Sequence, residues 1–160
     1  MKKVLIGIFS LIMVLSLNHP AACQNDQHSL DVQLIRAAMD GKQVDVLYWL
    51  GKGANVDGTL ADGKTALIWA ASNGHIEVVK VLLNWRPGAN VNAADHLGFT
   101  ALMAAVLGYD KEKTLEVVKL LLAAGANVDA KNVKGWTALK LATDAGNTEV
   151  VMLLQQHGAH

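Results

Sequence analysis

With one cysteine, Cys23, the chain has no means of building an internal disulfide framework or a cluster of thiolate metal ligands. It is also short of proline, with two residues, and of charge, which makes up 18% of its 160 positions. The 14 basic side chains are matched by 14 acidic ones, so there is no overall positive field of the kind that nucleic acid or an anionic membrane attracts. What is abundant is apolar surface, 52% of residues, enough for a buried core and too much for a disordered tail. The length suits one domain.

The first 23 residues read as an address. Met1-Lys2-Lys3 is a basic head, Val4 to Leu17 is an uncharged apolar run, and Pro20-Ala21-Ala22-Cys23 is a small-residue exit. This is the layout of a secretory signal peptide. As a helix the run reaches roughly 21 Å, short of the ~30 Å bilayer core, so the segment is not a stable anchor. Two endings are open. Ordinary cleavage after Cys23 leaves Gln24 as the first mature residue; alternatively Ala21-Ala22-Cys23 resembles the end of a bacterial lipoprotein box, and an acylated Cys23 tethers the protein to a membrane. Loss of Lys2 and Lys3 with no acidic residue leaves a net charge of −2. Residues 24–28 are polar and unpatterned, a short tether before a folded domain at 29–160.

That domain repeats itself. Thr65-Ala66-Leu67, Thr100-Ala101-Leu102 and Thr137-Ala138-Leu139 recur at spacings of 35 and 37 residues. Gly53-Ala54-Asn55-Val56, Gly88-Ala89-Asn90-Val91 and Gly125-Ala126-Asn127-Val128 recur in step with them. Within a unit the pattern predicts a helix of small and apolar residues (Ala66, Leu67, Trp69, Ala70), a stop at Gly74, a second helix with Ile76, Val78, Val79, Leu82 and Leu83 inward, and an extended turn. Glu77, Glu116 and Glu149 share a slot in the first turn of the second helices, where the helix dipole favours an anion.

These markers resemble the ankyrin repeat, over about residues 30 to 160. The resemblance implies an all-α repeat solenoid of four stacked units, near 29–61, 62–94, 95–131 and 132–160. The family's Thr-Pro-Leu-His stands here as Thr-Ala-Leu followed by Ile68, Met103 or Lys140, so the histidine that normally ties neighbouring hairpins is missing. Polar replacements fall in the end units: Arg36 and Asp45 stand in the slots of Trp69 and Val78, and Lys140 and Gln155 in those of Ile68 and Leu83. They cap both outer faces, as expected of a complete array. Tyr109 to Thr114 adds about one turn, predicting a longer second helix capped by Asp110. Trp85-Arg86-Pro87 adds two residues, and Pro87 stops the preceding helix.

Gly58-Thr59-Leu60-Ala61-Asp62-Gly63-Lys64-Thr65 matches a phosphate-binding loop pattern. Nucleotide chemistry also needs a buried parallel strand before it and a helix whose amides face the phosphates, whereas the flanking residues here are repeat parts. The histidines are scattered, and His157 with His160 at the C-terminus makes a weak metal site at best. The chain is therefore expected to be no enzyme, to need no cofactor or metal, and to be a monomer that binds a protein.

The resemblance implies a concave docking face. Slot by slot, its hairpin tips are Asp62 and Lys64, then His96, Leu97 and Phe99, then Val133, Lys134 and Trp136; its helix positions are Ser72, Asn73, Leu107 and Asp144. Phe99 and Trp136 are the aromatic anchors, while Trp49 and Trp69 fit helix slots facing the stack and are expected in the core. Exported bacterial ankyrin proteins of this kind are associated with peroxide defence. The expected location is the periplasm, with a membrane-tethered lipoprotein or a secreted effector acting on a host protein as alternatives. In metabolic fatty-acid labelling the mature protein is expected to carry no label and to begin at Gln24; label on Cys23 would establish the tethered form.

Overall fold

The computed structural model describes residues 20–160, with side chains from His28 onward; residues 1–19 of the expected signal segment, which spans 1–23, and the Cys23 thiol lie outside the described residues. Among the described residues eight helices follow in pairs: α1 (Pro20–Met39) with α2 (Gln43–Gly51), α3 (Ala66–Ser72) with α4 (Ile76–Asn84), α5 (Ala101–Val106) with α6 (Lys111–Ala123), and α7 (Ala138–Asp144) with α8 (Thr148–Gln156). Among the described residues the only β-type pairings are isolated bridges, Thr59 to Thr65 and Ala94 to Thr100, in the hairpin-like loops between pairs. First helices pack on first helices and second on second along the series, which makes the molecule an all-α solenoid. One difference from the sequence reading lies at its start. Residues 24–28, expected as an unpatterned tether, are helical, because α1 already includes them and runs unbroken into the first unit.

The Thr-Ala-Leu marker has a physical meaning. Thr65, Thr100 and Thr137 are the N-caps of α3, α5 and α7, each with extended backbone and a hydroxyl that accepts from the amide three residues on, at 3.3, 3.4 and 3.2 Å. At the other end of α3, Gly74 takes a φ of +70° and His75 N–H donates to Ala70 O at 2.9 Å, closing the helix with a left-handed turn. The third unit has the longer second helix its insertion predicted. Asp110 caps α6, its Oδ1 accepting from Lys113 N–H at 3.2 Å, and this backbone bond together with the Lys113 side chain holds the carboxyl below its ordinary range. Because α6 starts at Lys111, Glu116 lies a turn further in than Glu77 and Glu149, and Glu112 takes the first-turn position.

Leu67, Ile68, Val79, Leu82, Leu102, Met103, Val118, Leu121, Val150 and Leu154 are buried in one continuous core. Ile76 and Leu83, expected inward on α4, are half-buried at its edge. Arg36, Asp45, Lys140 and Gln155 are exposed.

Two systems tie the hairpins, in place of the missing histidine. At the tips the backbone itself bonds from one unit to the next, His96 N–H to Asp62 O at 3.1 Å and Val133 N–H to Leu97 O at 3.0 Å. At the bases a ladder of short side chains caps the next unit's backbone: Asp57 accepts from Asn90 N–H at 2.8 Å, Asn92 from Asn127 at 2.7 Å, and Asp129 from His160 at 3.3 Å, while Asp31 accepts from Asn55 at 2.7 Å within the first unit. Asp and Asn suit this role because their oxygens reach backbone amides without spanning a gap.

The tip contact is tight enough to test. Gly98 and Gly135 both have positive φ, +77° and +75°, but a Cβ on Gly98 would sit 2.9 Å from Asn132 Cα whereas one on Gly135 meets nothing within 4 Å. Gly135→Ala is expected to cost about 1–2 kcal/mol, the left-handed strain alone. Gly98→Ala should cost distinctly more in denaturant unfolding, since the next hairpin must also move.

Candidate functional site

Each hairpin tip is shaped from within by one short acidic or amide side chain. Asp95, buried between tips, accepts from both Leu97 and Phe99 N–H at 2.9 Å. Asn132 does the same one unit later, accepting from Lys134 at 2.9 Å and Trp136 at 3.0 Å. In the earlier hairpin Asp62 accepts from Lys64 N–H at 3.0 Å. These bonds fold each tip into a compact turn and present the intervening side chains outward, so the apolar ones among them are not drawn into the core. Leu97 is 58% exposed, Val133 69% and Trp136 38%.

Five of the expected docking residues line one pocket of about 210 Å³: Lys64, Ser72, Leu97, Phe99 and Leu107. The structure adds Ile68, Trp69, Asp95 and Ala104 to its wall. Trp69 corrects an expectation. It is half-buried and packs on the rim of the core instead of within it, as does Trp49. Ala66, Leu67, Ile68, Ala70 and Ala71 occupy the buried side of α3, which leaves position 69 to face the groove. The signal was present in the sequence, because Trp69 lies three and four residues before Ser72 and Asn73 and so shares their helix face. Lys64 Nζ stands 4.4 Å from the Trp69 ring centroid and 3.5 Å from Asp62. The cation over the ring contributes about 0.5–1 kcal/mol. The Trp69 indole N–H, shielded from water, has no acceptor, so packing and the lysine fix the ring.

The remaining expected residues sit around this pocket. Trp136 carries Lys134 Nζ at 4.8 Å from its ring centroid, and Asp144 accepts from Lys140 at 2.6 Å beyond it. His96 is exposed at its tip. Asn73 is partly committed to the stack, since its Nδ2 donates to Met39 O at 3.0 Å beside His75 Nε2, which is 2.9 Å from the same oxygen. A neighbouring groove holds Ser72, Asn73 and His75 against Tyr109 and Asp110, so the 109–114 insertion borders the concave side and leaves Tyr109 fully exposed there.

The phosphate-loop pattern has other duties here. Leu60 N–H to Lys64 O at 3.2 Å closes the hairpin, the Lys64 amine rests on Trp69 and Asp62, and the Thr65 hydroxyl caps α3. The pattern is itself a hairpin closed by an antiparallel bridge from Thr59 to Thr65, and what precedes it is a turn, not the buried parallel strand that phosphate loops follow. Among the described residues no group of three or more His, Cys, Asp and Glu is placed to hold a metal ion.

The family description "Ankyrin repeats (3 copies)" matches residues 34–132 and 109–160. The ankyrin repeat protein nuc-2 of Neurospora crassa is 32% identical over 126 residues, which is 79% of this chain and 11% of that protein. YahD, an ankyrin-repeat relative of Escherichia coli strain K12, is 37% identical over 98 residues, 61% of this chain and 48% of the relative. The human palmitoyltransferase ZDHHC17 is 40% identical over 93 residues, 58% of this chain and 14% of that enzyme. The chain thus spans between about a tenth and a half of the length of these curated relatives.

Asp95 controls how Phe99 and Leu97 are presented, and its removal is expected to be costly. Asp95→Ala leaves two amides without their acceptor and should lower unfolding stability by about 2 kcal/mol in chemical denaturation. Asp95→Asn should be close to neutral, since Asn132 makes the same two bonds in the next hairpin.

Proposed function

Since the chain belongs to the ankyrin-repeat family, whose repeats generally mediate contacts between proteins, we propose that it is a non-catalytic module that holds a protein partner on its concave face. The carrying observation is the gathering of Leu97, Phe99, Leu107 and Trp69 from two units around one pocket, with Val133 and Trp136 continuing the apolar surface into the next. Leu97 and Leu107 are exposed there, while Trp69 and Phe99 pack half-buried on the rim of the core and form the floor of the groove. Covering them on association gains roughly 25 cal/mol per Å² of apolar surface, and the rigid stack leaves little backbone to order on contact. The enzyme names among the relatives belong to proteins of which this chain covers a small part.

We place the partner in the bacterial envelope, on the strength of the signal layout in the first 23 residues, with envelope stress or peroxide defence as the setting the family resemblance suggests. In this reading the protein needs no cofactor and acts by occupying or positioning its partner.

The double variant Phe99→Ala, Trp136→Ala tests the face. It should keep its helical circular dichroism and lose at least roughly tenfold in partner affinity, as aromatic anchors at an interface do. Undiminished capture of the partner from envelope extract would move the binding surface elsewhere on the molecule.

A further inference from the structure

The carboxylates of the concave face are already engaged by the chain's own donors. Asp62 lies by the Lys64 amine, Asp144 holds Lys140, and the buried Asp95 takes two backbone amides. Lys134 is different. It is exposed, stacked over Trp136, and among the described residues no carboxylate pairs with it. The bond from Val133 N–H to Leu97 O fixes its place, one hairpin tip beyond a residue that lines the pocket. An apolar recess therefore stands beside a lone cation that an aromatic ring holds in position.

The size of the recess limits its occupant. About 210 Å³ is below the ~300–1,000 Å³ of small-molecule sites and suits one large side chain. From this juxtaposition we infer that the groove takes a peptide segment of the partner in which a large apolar residue neighbours Asp or Glu. The apolar side chain fills the space between Trp69, Leu97, Phe99 and Leu107, and the carboxylate meets Lys134. The inference rests on the protein-binding reading of this face. A nucleic-acid strand is a poorer match, since it asks for cations against successive phosphates and this face offers one unpaired lysine. A membrane is a poorer match because the recess lies between hairpin tips and helices, out of reach of a flat surface.

The probe is a displayed library of short random peptides selected on the full chain, followed by anisotropy titration of a synthetic peptide of the enriched sequence. Enrichment of Leu, Met or Phe beside Asp or Glu is expected. Lys134→Glu should weaken the synthetic peptide several-fold and abolish the weakening by added salt that wild type shows. Leu97→Ala combined with Leu107→Ala should weaken it roughly tenfold. All three side chains are exposed, and unchanged circular dichroism checks that the fold holds. Enrichment of basic or wholly polar peptides, no enrichment, or variants that bind like wild type would overturn the inference. So would sedimentation with phosphatidylserine vesicles that depends on Lys134 while no peptide is enriched, which would assign the surface to a lipid headgroup. If the Phe99 and Trp136 variant loses its partner but the library returns no acidic, apolar sequence, the protein-binding reading stands and this inference alone fails.

Discussion

The structure depends on burial between neighbours. α3 and α7 have seven residues and α5 has six, lengths at which a helix in water is unstable. They persist because Leu67, Leu102 and their neighbours are shielded by the next unit as much as by their own. Stability in such a stack is shared through contacts between adjacent units, so no pair has a complete core of its own. The hairpins must therefore be held in register with the helices, and the short side chains of the base ladder do that.

The same constraint produces the binding face. A hairpin whose inner polar atoms are satisfied by Asp95 or Asn132 can display Leu97, Val133 or Trp136 outward, with Phe99 half-buried behind them, without leaving unpaired groups beneath. Exposure of large apolar groups is then a consequence of well-bonded turns, not of a loose surface. The lysines at 64 and 134 lie over tryptophan rings and cover part of that apolar area with their stems while keeping charge at the rim.

Much of the fold was legible because its instructions are short-range. The threonine before each Ala-Leu, the glycine after the first helix and Asp110 before the insertion act within a few residues, and each stands where the pattern put it. The helical conformation of residues 24–28 is not legible in the sequence because they lack an apolar stripe; no local signal separates them from a loop. Trp69 was misassigned for another reason. A large aromatic in a short buried helix suggests core, but the small residues Ala70 and Ala71 bring the neighbouring helices close and leave no room for an indole between them.

The sequence alone determined the repeat, its period, the capping of its helices and the positions of its tips, since all of these follow from backbone conformations chosen residue by residue. Which side chains share a pocket was decided by the tertiary structure. Lys64, Trp69, Leu97 and Leu107 come from two units and meet because stacking sets the spacing and rotation of one pair on the next. That geometry arises from the packing of whole faces and is written at no single position. For the same reason the ties that replaced the missing histidine, from Asp57 to Asn90 and from Asn92 to Asn127, became visible only once residues more than thirty apart lay side by side.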